Sequence, residues 1–473
     1  MKKILLISIL LTAVSIFSIF SVDIPSVFTG TEITPDMLYR SALDKNIDLQ
    51  KLDIERKQAD IDRKNAEASA FPTVEFQTSL TYQTTPMIEP IKLTAGQLGA
   101  YDIGGSSILL PSEDMTIYEG MENTHYEFKL IVDQPVFTWG KITNSVLLYQ
   151  DIAQISGLKT ESSRNGIRTR IYIYAYTLNF IEKIEERLAN QAKDAERFIS
   201  IADESYQNGF ILYTDLLKAR IQAKELQIAQ AEITKQKEAA ILSLSQLSGI
   251  RNIDIDNLDF SFIRKIEDIS LQTAGWYLDS ALKNSPEIQM LNIIRNINEL
   301  KVKISEGAGY FKPDIGLHFE LGYTGPRFPF IEADWFGKDS LGLNSTIALQ
   351  TILYDGGKIA YQIERDTQEL NKAFHEYELG VDQIYYFINE TLLTLELNRQ
   401  NIEYYRLLQE NDQQQIELRR TQFEAGSGDE TAMLAEQIQL NTNMIKEHRE
   451  MIDFYKNYFA LIGAASAFDD SLK

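Results

Sequence analysis

The chain has 473 residues, no cysteine, and 68 acidic against 46 basic side chains, a formal charge of −22. Zero cysteine excludes disulfides, thiolate metal sites and an N-terminal lipidated cysteine. A surface this acidic repels nucleic acid and anionic lipid, so no nucleic-acid partner is expected.

Met1-Lys2-Lys3 precedes a run from Ile4 to Phe20 that carries no charge, followed by Ser21 and Asp23. Basic start, apolar middle and small residues predict a secretory signal peptide over 1–21. The alternative, a retained anchor, is disfavoured because the run falls short of the roughly 20 residues a spanning helix needs. Removal of Lys2 and Lys3 leaves the mature chain at −24, with no later apolar stretch long enough to cross a membrane as a helix.

Beyond residue 21 one plan is written twice, over 22–270 and 271–473. "SAL" at Ser41–Leu43 recurs at Ser280–Leu282, and Phe71-Pro72 falls near Phe311-Lys312-Pro313. In the first copy "TVEFQTSLTYQ", 73–83, puts Val74, Phe76, Thr78, Leu80 and Tyr82 on one face and Glu75, Gln77, Ser79 and Thr81 on the other. A return strand is expected at about 126–137, after a polar loop over 84–123. The second copy repeats this with "DIGLHFELGY", 314–323, a loop over 324–340, and a strand at about 341–354. Strict alternation over 9 to 11 residues fits a membrane strand, although a half-buried soluble sheet alternates in the same way. Four strands enclose no useful lumen, and open edges are not tolerated in hydrocarbon. Several chains would have to share one barrel.

Each strand pair ends in a glycine-lysine signature, "FTWGKITN" from Phe137 and "LYDGGKIA" from Leu353. Neither is a phosphate loop: Ile352 stands where the first glycine belongs and Ile359 replaces the hydroxyl. Long proline-free segments rich in helix formers follow, predicting helical hairpins over about 141–248 and 358–462. Gly140 lies 69 residues before Gly209, and Gly357 the same 69 before Gly426, so both outgoing helices form rods of roughly 100 Å. Leu188, Ala192, Ala195, Ile199, Ala202 and Tyr206 alternate steps of four and three, and Ala219, Leu226, Ile233, Ala240 and Leu247 follow at sevens, as in a coiled-coil seam. Gly209 and Gly426 read as hairpin turns, Gly249 and Gly463 as caps of the return helices.

This ordered double series resembles the TolC-like outer-membrane efflux family over essentially the whole mature chain. The resemblance implies a mainly α fold with a membrane β-barrel portion. Long coiled-coil hairpins form an α-barrel tunnel, and each chain gives four strands to a trimeric 12-stranded barrel. It makes 250–269 an equatorial link, and Gly140, Gly356 and Gly357 the bends from strand to helix, where a β-carbon would hinder the turn. Trp139 and Tyr354 would sit at the membrane interface. It assigns adaptor contact to the tips Asn208-Gly209-Phe210 and Ala425-Gly426-Ser427, although the family's usual Val-Gly-Leu is absent from both. It places Thr214-Asp215 at the periplasmic gate. The expected Arg and Tyr partners are replaced by Gly428 and Phe423, and Ala432 and Ala435 replace aspartates, leaving the nearby Asp429, Glu430 and Glu436 to supply a substitute acidic ring.

The function implied is passive conduction to the exterior in an efflux or type I secretion system. The partners implied are two further copies, an inner-membrane transporter, a periplasmic adaptor and the lipid of a diderm outer membrane. No catalytic, cofactor-binding or metal residue is assigned. His125, His318, His375 and His448 are widely spaced, and His375-Glu376 fails the zinc-helix pattern at Leu379. The rival reading is a periplasmic coiled-coil scaffold or adaptor without a barrel.

Overall fold

The computed structural model describes residues 33–84, 90–118, 123–251, 253–325, 328–329, 336–337 and 340–468. The expected signal peptide lies outside them. Contacts group the chain into two compact units: Met1–Ile54, Leu158–Gln289 and Leu379–Lys473 in one, Glu55–Gly157 and Met290–Glu378 in the other.

The first unit is helical, and four of the described helices run on into residues of the second. Helices α1 (Pro35–Lys45) and α2 (Ile47–Ala68) precede the strands. The first hairpin is α3 (Lys141–Gln207) and α4 (Tyr213–Ser248). Helices α5 (Ala274–Asn284) and α6 (Pro286–Gly307) follow, and the second hairpin is α7 (Lys358–Glu424) and α8 (Glu430–Ala464). Helices α3 and α7 are both 67 residues long. None of the described helices is long and apolar enough to cross a membrane.

Duplication extends to single hydrogen bonds. Thr34 caps α1 by accepting from Met37 N at 3.3 Å, and Thr273 caps α5 by accepting from Trp276 N at 3.3 Å. The serines of the two "SAL" motifs then do the same work. Ser41 Oγ donates to the Ser248 carbonyl at the end of α4 (3.0 Å), and Ser280 Oγ to the Ala465 carbonyl past the end of α8 (2.8 Å). Each hydroxyl satisfies a terminal carbonyl that has no partner within its helix.

The seam of the first hairpin is apolar at Leu188, Ala202, Ala219, Ile233 and Ala240, all buried, whereas the expected seam position Tyr206, next to the tip, is exposed. The second hairpin differs. Its interior holds Asn443 Nδ2 donating to Asp412 at 2.6 Å, and Glu447 accepting from Gln409 at 2.7 Å and Arg406 at 2.9 Å. The link threads its own core residues, Ile266 and Ile269, into an aromatic cluster of Tyr172, Tyr176, Phe454, Tyr455 and Phe459.

Gly249 caps α4 in the left-handed region, φ 68°. Gly463 does not cap α8: the helix runs through it to Ala464, and Ala465 is the cap. A β-carbon at 463 would lie 2.5 Å from Thr169 Oγ1, so this glycine serves close approach of α8 to α3.

The second unit holds the sheet. Strands β1 (Thr73–Tyr82), β6 (Thr124–Phe137), β7 (Asp314–Gly325) and β8 (Leu341–Gln350) pair antiparallel in the order β1-β6-β7-β8. The last strand stops at Gln350 rather than Tyr354 because its partner begins at Asp314, which pairs with Gln350 and leaves nothing beyond to bond. Register shifts between Pro135 and Phe137, where proline has no N–H to give the ladder. The loop expected over 84–123 carries two short antiparallel ladders, β2 (Ile91–Leu93) with β5 (Met115–Tyr118) and β3 (Ala100–Ile103) with β4 (Ser106–Leu109).

Candidate channel elements: sheet faces, bends and hairpin tips

Register turns alternation into two faces. Phe76, Leu130, Leu321 and Leu343 stand in one row across all four strands, flanked by Val74, Val132 and Phe319 and by Phe128, Tyr323 and Leu341. The row is not covered: Phe76 is 65% exposed and Leu343 72%. The opposite face is mainly polar, with Ile131, Pro135 and Ala348 its apolar members. Asp133 accepts from His318 Nδ1 at 2.7 Å, and Lys129 Nζ lies 2.5 Å from Glu127 and 3.6 Å from Glu320. Strands β1 and β8 each keep one edge without a partner strand among the described residues.

The two bends use different devices. After β6, Trp139 (φ 53°) and Gly140 (φ 79°) take successive left-handed conformations, and the strained Trp139 is held by its Nε1–H donating to the Pro313 carbonyl at 2.9 Å. A β-carbon at Gly307 would lie 2.8 Å from the Trp139 carbonyl oxygen. At the second bend Gly356 (φ 76°) and Gly357 (φ 92°) turn the chain, and Asp355 caps α7 by accepting from Gly357 N and Ile359 N, both at 3.0 Å. Tyr310 also donates its hydroxyl to Asp355, and this bond above all holds the carboxyl below the usual range. Sequence reading singled out the glycines and passed over Asp355, although an aspartate just ahead of a helical run is a start signal.

Both tips close in the same way. Gly209 (φ 73°) donates to the Tyr206 carbonyl at 2.9 Å and Phe210 to Ser205 at 2.8 Å; Gly426 (φ 72°) donates to Phe423 at 2.9 Å and Ser427 to Gln422 at 3.0 Å. These paired bonds satisfy the last carbonyls of each outgoing helix. The surfaces differ. Asn208 and Gly209 are followed by Phe210, 80% exposed, beside exposed Leu212 and Tyr213. Ala425, Gly426 and Ser427 present only small groups.

Around the expected gate the structure gives most charges a partner within the chain. Thr214 and Asp215 are exposed on the first turns of α4, and Asp215 accepts from Lys218 at 3.1 Å. A β-carbon at Gly428 would fall 2.6 Å from Phe423 N, so no arginine fits there. Asp429 caps α8, accepting from Thr431 N at 3.0 Å. Glu430 makes a two-pronged pair with Arg197 of α3 at 2.8 and 2.9 Å, which holds its carboxyl below the usual range. The partner was missed from sequence because it lies 233 residues away. No group of three His, Asp or Glu able to hold a metal occurs among the described residues.

Duplicated helical hairpins joined to a four-stranded antiparallel sheet, apolar on one face, define the TolC-like outer-membrane channel fold. The resemblance also holds in sequence: the model of the outer membrane efflux protein family matches residues 38–250. No curated protein matches the chain. Among solved structures it is similar to the CmeC outer membrane channel of Campylobacter jejuni, with a TM-score of 0.71 at 16% identity over 92% of this chain and 85% of that one. The VceC outer membrane protein of Vibrio cholerae gives 0.71 at 15%, over 91% and 95%. The open state of the MtrE outer membrane channel of Neisseria gonorrhoeae gives 0.64 at 12%, over 90% and 88%.

Proposed function

We propose that the protein is the outer-membrane duct of a tripartite efflux or type I secretion system. Three copies close a 12-stranded barrel, their helices continue the passage into the periplasm, and an inner-membrane transporter working through a periplasmic adaptor drives substrates outward. No residue performs bond chemistry in this reading, and outer-membrane efflux proteins act as channels.

The observation that carries the proposal is the sheet, with an exposed apolar face, an ion-paired polar face and two open edges. A soluble half-buried sheet would cover Phe76 and Leu343, whereas lipid leaves them outward and requires the edges to be closed by partner chains. The helices support the same assembly. Tyr386, Leu393, Leu397, Tyr404 and Leu407 of α7 follow steps of seven, four, seven and three and are all exposed, Leu393 at 74%. Leu217, Ile221 and Ile228 form a second exposed stripe on α4. Two unlike apolar seams on one chain suit a head-to-tail ring. In that ring Phe210 and its neighbours offer the adaptor an apolar contact, the second tip a close one, and Thr214, Asp215, Asp429 and Glu430 line the periplasmic mouth.

Light scattering on detergent-solubilised protein, with heat-modifiable migration of the outer-membrane fraction, tests the reading. A detergent-dependent trimer is expected. A stable monomer, or an oligomer recovered in the soluble periplasmic fraction, would instead support the scaffold.

A further inference from the structure

Beside the equatorial link lies a cleft whose chemistry conduction does not use. Phe180 and Lys183 of α3, link residues between 260 and 268, Arg406 of α7 and Tyr455 of α8 enclose about 710 Å³. Its apolar floor is the half-buried Phe260, Ile263 and Met451, while Phe180 and Tyr455 are buried and stack at 5.6 Å with their planes 19° apart, and the Tyr455 hydroxyl is fixed by donating to the Arg264 carbonyl.

The lining is basic in a chain where acids outnumber bases. Lys183, Arg264, Lys265 and Arg406 line the cleft against two carboxylates, Glu267 and Asp268. Glu267 is engaged by Arg406, which also bonds Glu447 at 2.9 Å. The Lys183 ammonium lies 5.0 Å from the centre of the Phe180 ring, so a cation stands at the margin of the cleft. A volume of several hundred cubic ångströms with an apolar floor and a few convergent polar groups is the usual form of a small-molecule site. Cations at the margin select for negative charge.

We propose that this cleft binds a small organic anion with a flat apolar body. The ring lies against Phe260, Ile263 and Met451, and its carboxylate or sulfonate sits beside Lys183 and Lys265. The bound anion touches α3 of the first hairpin and both helices of the second. This holds whether or not the protein conducts, because it rests on the cleft alone.

The test is a fluorescence titration of the full-length protein in nanodiscs with 8-anilino-1-naphthalenesulfonate, and with N-phenyl-1-naphthylamine as the neutral counterpart. Empty nanodiscs are subtracted. A saturable component of one site per chain is expected for the sulfonate. It should weaken roughly tenfold in Lys183→Gln/Lys265→Gln, as loss of charge-assisted contacts requires, and tighten in Asp268→Asn. Neither variant should change uptake of the neutral probe, which guards against a misfolded cleft. Absence of the saturable component in the wild type, or its persistence unchanged in both variants, overturns the proposal.

Discussion

Gly463 gives a prediction whose sign depends on a single contact. Alanine in a helix interior is favoured over glycine by about 1 kcal/mol, so in isolation Gly463→Ala should stabilise α8. In the folded protein the new β-carbon would meet Thr169 Oγ1 at 2.5 Å and Cγ2 at 3.5 Å. Thr169 cannot simply turn aside, because its hydroxyl donates to the Asn165 carbonyl at 2.9 Å. Breaking that bond costs about 1 kcal/mol, and parting the helices costs about 1 to 3 kcal/mol. The single variant is therefore expected to be neutral or destabilised by up to about 2 kcal/mol. In a Thr169→Ala background the obstacle is gone, and Gly463→Ala should stabilise by about 1 kcal/mol. The four proteins of this cycle are compared by thermal unfolding of the detergent-solubilised protein. The midpoint should stay or fall in the first background and rise in the second. Equal midpoint shifts in both backgrounds would refute the close-approach reading.

Three further outcomes are expected. His448 is pushed down to about 4, chiefly by burial, against about 6.5 when unfolded. The unfolded chain therefore binds more protons between these values, and stability should fall as pH drops from 6.5 to 4, by about 3 kcal/mol in all. His448→Gln should flatten that slope in midpoint-versus-pH curves, and an unaltered slope would place the titrating group elsewhere. Phe210→Asp should abolish export in a transport assay without changing trimer abundance; retained export would remove the first tip from the adaptor surface. Planar-bilayer recordings under a salt gradient test the mouth. Asp215→Ala should leave resting conductance unchanged, since its partner Lys218 lies one turn away on the same helix. Neutralising Asp429 and Glu430 together should lower cation selectivity, whereas Arg197→Ala, which unpairs Glu430, should raise it. A large conductance increase in Asp215→Ala alone would show that this residue holds the gate through other partners.

What the sequence by itself determined was local and periodic. Alternation at 74–82 and 314–323 specified strands with one apolar face, because side chains on a strand repeat every two residues. Heptads and paired glycines specified two hairpins with like tips, because a helix repeats every 3.6 and only a left-handed residue ends it so sharply. Even the two "SAL" motifs marked equivalent hydrogen bonds before their acceptors were known. What only the tertiary structure decided was which distant groups meet. Arg197 and Glu430, Tyr310 and Asp355, and Thr169 and Gly463 share no spacing rule. The polar interior of the second hairpin is likewise hidden, since Asp412, Asn443 and Glu447 read as ordinary polar positions until α7 and α8 are docked in register. Periodicity fixes the face a residue occupies; what stands opposite that face depends on how the elements pack, and no local pattern encodes it.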